Sequence, residues 1–66
     1  MEIIDNENGR KWVIEKITDD RYLLTYFEYF KGLGWKSYDK GETCSKSYLE
    51  ITFDVDLSQQ QKILYI

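Results

Sequence analysis

The side chains able to do chemistry are unevenly supplied: 12 acidic residues against 9 basic ones, a single cysteine and no histidine in 66 residues. Without histidine the usual general base near neutral pH is missing, and Cys/His zinc sites are ruled out. Cys44 has no second cysteine to bridge to. As a nucleophile it would need a lowered pKa and a base beside it. The carboxylates form two patterns. Asp19-Asp20 lies between two β-rich segments and reads as turn chemistry rather than as an acid/base pair. Glu50, Thr52, Asp54 and Asp56 alternate with apolar residues, so on a strand they would share one face. Such a row of oxygens could hold a hard cation, yet it lacks a tight ligand loop, and a solvated sheet face explains it fully. No catalytic constellation emerges. The expectation is a protein that is not an enzyme, with no metal and no cofactor.

The residues best suited to touching another molecule lie between 31 and 47. This stretch holds Gly32, Gly34 and Gly41, the large aromatics Trp35 and Tyr38, and four lysines (31, 36, 40 and 46) against Asp39 and Glu42. Its local charge is about +2 in a chain of net charge −3. Trp35, Lys36, Tyr38 and Lys40 are the candidate binding residues, because rings stack and lysines meet phosphate or carboxylate. A loop tryptophan can equally cap the open end of a small core, and lysines are ordinary solvated residues. A short strand around Trp35–Tyr38, turning at Asp39-Lys40-Gly41, is a structured version of the same loop. Gly32-Leu33-Gly34 falls short of a nucleotide-binding glycine motif, which needs a third glycine, a following helix and a βαβ unit.

These residues must be held by a small scaffold. A chain of this length fits one domain, 1–66, and buries only about 60% of the surface its unfolded form exposes. Its aromatic share of 17% supplies efficient core fillers and argues against disorder. Asn6-Glu7-Asn8-Gly9 reads as a turn, with a short edge strand before it over Met1–Ile4 and a partner strand from about Lys11. Lys11–Thr18 is β-rich. Asp19-Asp20 would be a two-residue loop, setting Ile14 opposite Thr25 and Trp12 opposite Phe27 as an aromatic pair. Arg21–Phe30 is apolar at both parities, which predicts a central strand buried on both faces. Tyr48–Leu57 alternates apolar and polar residues, which predicts a strand with Leu49, Ile51, Phe53, Val55 and Leu57 pointing inward. In the tail, Ser58 with Gln61 matches a capping box and favours a helix, whereas Ile63–Ile66 favours a strand. In either form those apolar residues dock on the sheet or on another chain.

The fold expected is mainly β: a small antiparallel meander or partly closed barrel of 4–5 strands, with a short C-terminal helix as an option and α+β as the alternative. The function expected is a non-catalytic binding or regulatory module working through protein–protein contacts, homodimerisation included. The alternative is nucleic-acid binding through the loop 31–47, which the net charge of −3 disfavours. No apolar run is long enough to span a bilayer. Acidic flanks around the first residues and a lone cysteine suggest the cytoplasm.

Overall fold

The computed structural model describes residues 1–37, 40–59 and 63–66. Along the chain run β1 (Glu2–Asp5), β2 (Arg10–Lys16), β3 (Arg21–Phe30), β4 (Gly34–Ser37), β5 (Glu42–Ser45), α1 (Lys46–Phe53) and β6 (Ile63–Tyr65). The protein is mainly β. Its strands make one mixed sheet in the order β4-β3-β2-β1-β6, with β5 also paired to β3. The sheet stays open and does not close into a barrel. The strands β1 to β4 form an antiparallel meander, while β6 returns parallel to β1. That return places β1 inside the sheet rather than at its edge. It also resolves the tail: the Ile66 amide donates to the Ile4 carbonyl at 2.8 Å, so Ile63–Tyr65 is a strand. The capping-box glutamine Gln61 lies outside the described residues.

Local chemistry fixes each corner. At the first turn the Asp5 carboxylate accepts from the Asn8 amide, Asn8 Nδ2 and Arg10 Nη2 at 3.3, 2.9 and 3.0 Å. These bonds hold the Asp5 pKa below its ordinary value, Asn8 first and Arg10 second. At the β2–β3 turn, Thr18 Oγ1 accepts from the amides of Asp20 and Arg21 at 3.3 and 3.0 Å. Ile17 and Thr18 both donate to the Arg21 carbonyl. The loop is therefore Thr18-Asp19-Asp20 and not Asp19-Asp20 alone. One extra loop residue slips the register by one: Trp12 pairs with Tyr26 and Ile14 with Leu24, instead of Phe27 and Thr25. Trp12 keeps an aromatic partner, with ring centroids 5.5 Å apart. At the third turn the Leu33 amide donates to the Phe30 carbonyl, with Gly32 at φ 85°, the positive φ that a type II turn needs at its third position.

The segment 49–57 overturns the strongest sequence expectation. Lys46–Phe53 is an α-helix, capped by Ser45, whose hydroxyl accepts from the Tyr48 amide at 3.2 Å. Period-2 alternation and helical spacing agree at every second apolar position: Leu49 and Phe53 are four apart and lie on one helix face. The residue between them decides. Ile51 is 83% exposed while Leu49 is fully buried. The helix ends at Asp54 in a left-handed conformation, φ 55°. Val55 and Leu57 then run on as a half-buried strap, pinned where Glu50 Oε2 accepts from the Leu57 amide at 2.9 Å. The carboxylates 50, 54 and 56 consequently do not form a row. Glu50 is on the helix, Asp54 caps its end, and Asp56 accepts from Ser58, which lowers its pKa.

Cross-strand partners share a face, so the pairings divide the sheet. On the covered face lie Ile3, Trp12, Ile14, Tyr22, Leu24, Tyr26, Cys44 and Leu64. The core is Ile3, Ile14, Tyr22, Cys44 and Leu49, with Phe53, Val55 and Leu57 packed against it. Each fully buried aliphatic side chain there contributes about 1.5–3 kcal/mol. The helix and strap thus cover one face. The molecule measures 37 × 23 × 17 Å, a slab. In β3, only Tyr22 is buried, so the expectation of burial on both faces of that strand does not hold.

Candidate interaction surface

The other face of the sheet carries Glu2, Ile4, Lys11, Val13, Glu15, Leu23, Thr25, Phe27, Tyr29, Trp35, Thr43, Ile63 and Tyr65 in cross-strand rows. One row reads Tyr65, Ile4, Lys11, Phe27, Ser37; the next reads Ile63, Glu2, Val13, Thr25. Among the described residues no element packs over it. Tyr29, Ile63 and Tyr65 are exposed. We call this the open face.

Its aromatic corner is built by β3 and β4. The tight turn at 31–33 folds β4 back so that Trp35 pairs with Tyr29, and their rings meet edge to face at 5.4 Å. Lys11 reaches in from β2. Its Nζ sits 4.9 Å from the Phe27 ring centroid and 5.0 Å from that of Trp35, and 3.6 Å from Glu2 Oε1. The ammonium is therefore engaged by two rings and a carboxylate, and its stem covers apolar surface. Beside this corner, Asn6, Gly9, Tyr29 and Trp35 line a notch of about 220 Å³.

Of the four residues singled out from sequence, the structure describes Trp35, Lys36 and Lys40, and it sets Trp35 and Lys36 on opposite faces of β4. Trp35 is on the open face and outside the core cluster. Lys36, the next residue, points to the opposite face and pairs with Glu28. Lys40 is exposed in the connection ahead of β5, and Tyr38 lies outside the described residues. The stretch 31–47 is not one loop, since it supplies β4, β5 and the start of α1. Phe27, Tyr29 and Lys11 are the partners that sequence reading missed. Their signal was the odd parity that Phe27 and Tyr29 share on β3, with Trp35 brought alongside by the Gly32 turn.

Chemistry elsewhere is sparse. Cys44 is buried opposite Tyr22, and burial, with Glu42 nearby, pushes its thiol pKa up, which disfavours the thiolate. A cleft of about 480 Å³ opens between Lys16, Tyr22, Lys46 and the strap at Leu57–Gln59. A smaller one, about 320 Å³, is lined by Trp12, Leu24, Tyr26, Gly41 and Glu42. No protein-family model, curated protein or solved structure matches this chain.

Proposed function

We propose that this chain is a non-catalytic binding module that grips another protein with the open face of its sheet. One observation carries the reading: an apolar and aromatic sheet face, running from Tyr65 and Ile63 through Val13 and Phe27 to Tyr29 and Trp35, lies opposite the helix and strap that cover the sheet among the described residues. Extended apolar patches on small proteins mark contact surfaces, and Tyr and Trp are the residues that carry most interface energy.

Nucleic-acid binding uses the same rings but needs positive potential around them. Here Glu2 and Glu15 offset Lys11 and Arg21 on the open face, and Lys36 points away from Trp35. A balanced face supports a protein partner better than a polyanion. The test is capture from native lysate by wild type, by Tyr29→Ala/Trp35→Ala and by a Lys36→Ala control, with folding checked by circular dichroism. A partner held by wild type and control but lost by the aromatic variant supports the assignment. Equal capture by all three baits overturns it. Salt-steep binding of single-stranded oligonucleotides would transfer the face to the alternative reading.

A further inference from the structure

The geometry points to a second binding site on the covered face, a half-open pocket between Trp12, Tyr26 and Glu42 that takes an organic ammonium group. It lies on the other side of the sheet from the open face and stands independently of that reading. Cross-strand pairing builds it. Trp12 of β2 pairs with Tyr26 of β3, and one row along the same face Leu24 of β3 pairs with Glu42 of β5. Together with Gly41 these side chains line a cavity of about 320 Å³, inside the range of about 300–1,000 Å³ that small-ligand sites occupy.

Each wall has a local cause. The rings of Trp12 and Tyr26 meet with centroids 5.5 Å apart and planes inclined at 42°, so they are tilted rather than stacked flat. Phe53, at the end of α1, braces the Trp12 ring at 5.5 Å. On the far wall the backbone at Gly41 comes so close to β3 that a Cβ there would lie 2.8 Å from the Leu24 carbonyl. That approach, possible because the residue is glycine, sets the next residue, Glu42, beside Leu24. Leu24 thus forms an apolar floor between two aromatic rings and one carboxylate.

Charge selects the ligand. Aromatic faces carry negative potential and attract cations. Among the described residues Glu42 is the one ionised side chain lining the cavity, and no lysine or arginine lies within ion-pair distance of it. Burial first, and Glu42 second, push the Cys44 thiol pKa up, as a negative neighbour would. The Trp12 ring already draws a cation of the chain's own: the Arg10 guanidinium stands 5.3 Å from its centroid. Arg10 comes from the Glu28 row, on the side of Trp12 away from Leu24 and Glu42, and Asp5 neutralises it at 3.0 Å. The pocket therefore keeps its negative character. An anion would meet like charge there, and a neutral apolar ligand would bury the carboxylate without a counter-charge. A methylated ammonium satisfies both walls, since it sheds water easily and rests on ring faces.

The closing experiment is a nitrogen–proton NMR titration of the full chain with choline, with its neutral carbon isostere neohexyl alcohol, and with acetylated trimethyllysine amide. Choline should bind saturably with a Kd of about 1 mM. It should move the Trp12 indole N–H and the Gly41 and Glu42 amides together, while the Trp35 indole, on the opposite face, stays in place. The alcohol should bind about tenfold more weakly or worse. Glu42→Gln, at an exposed position, should weaken choline about threefold to fivefold, and Tyr26→Leu about fivefold or more. Glu15→Gln, on the open face, should leave the Kd unchanged. The same spectra show whether each variant is folded. Tighter binding of choline or of the lysine derivative, either of which upholds the pocket, tells a free ammonium compound from a peptide side chain. The proposal is overturned if neither cation binds at about 10 mM, if the alcohol binds as well as choline, if the shifts centre on Trp35, or if Glu42→Gln changes the Kd no more than Glu15→Gln.

Discussion

Replacing Leu49 and Ile51 with alanine, one at a time, separates a helix from a strand at the point where the two patterns disagree. Leu49 is fully buried under the helix and Ile51 is 83% exposed. Leu49→Ala removes three carbons from an enclosed position. At about 0.8 kcal/mol for each buried methylene the transfer loss is about 2.4 kcal/mol, and a residual cavity brings the total to about 3 kcal/mol. A domain of this size commands only about 3–5 kcal/mol in all, so the variant should stand near its unfolding midpoint without denaturant. Ile51→Ala should change stability by less than about 0.5 kcal/mol, with a small gain in helix propensity offsetting lost packing. The assay is urea unfolding followed by tryptophan fluorescence, since Trp12 touches Phe53 of the helix at 5.5 Å. With a slope of about 1 kcal/mol per molar urea, the two midpoints should differ by about 2–3 M. Comparable losses in both variants would mean that both side chains point inward, as on a strand, and the helix would be refuted.

Two further outcomes follow from the turns. Gly41 has φ 83°, and a Cβ there would lie 2.8 Å from the Leu24 carbonyl and 2.9 Å from Thr25 Oγ1. Gly41→Ala should cost about 2–3 kcal/mol and lower Tm by about 10 °C or more. Gly32→Ala has similar φ strain but open space around it and should cost about 1 kcal/mol; equal melting points for the two would contradict the packing at Gly41. Asp5 titrates below its ordinary value of 3.8 in the folded chain, so its bonds to Asn8 and Arg10 stabilise the fold above that pH and lose effect as pH falls toward the folded value. Wild type should therefore exceed Asp5→Asn in stability at neutral pH, with the gap narrowing below about pH 4; a gap unchanged at pH 2.5 would remove the carboxylate from the turn.

The hairpin residues announced themselves because their information is local. Asn8-Gly9 and the alternation on either side needed no distant partner to be read, and the β-branched and aromatic content of 11–30 marked the two longest strands. The loop at Thr18 hid one residue, since a hydroxyl accepting from two amides looks like any strand-terminal threonine. That single miscount reversed which odd and even residues of β3 face which neighbours, and concealed the Phe27–Lys11–Trp35 corner. The segment 49–57 failed for a deeper reason. Its alternation is real, but a spacing of four belongs to both periodicities, and only the need to cover Ile3, Ile14 and Tyr22 selects the helix. The Ser45 cap was the local clue. Trp35 was legible as a contact candidate through its type, whereas the opposite orientation of Lys36 follows only once β4 is known to pair with β3.

The sheet contains its own control for the meaning of the open face. Helix α1 is about 12 Å long and about 10 Å wide, too small to shade a sheet about 24 Å across, and it covers the Ile14 and Tyr22 end. Beyond its reach on the same face, the row across β1, β2, β3 and β4 is Asp5, Arg10, Glu28 and Lys36, alternating in charge, with the buried Asp5 bonded to Arg10 at 3.0 Å. The open face is equally beyond the helix, yet around a single Lys11–Glu2 pair its corresponding rows hold Ile4, Phe27, Tyr29, Trp35, Ile63 and Tyr65. Shortage of covering material cannot account for both, because it acts on the two regions alike. Water selects charges where nothing else is to be met; rings and branched aliphatics kept on the bare side of the same strands are what a face needs if its cover arrives on another chain.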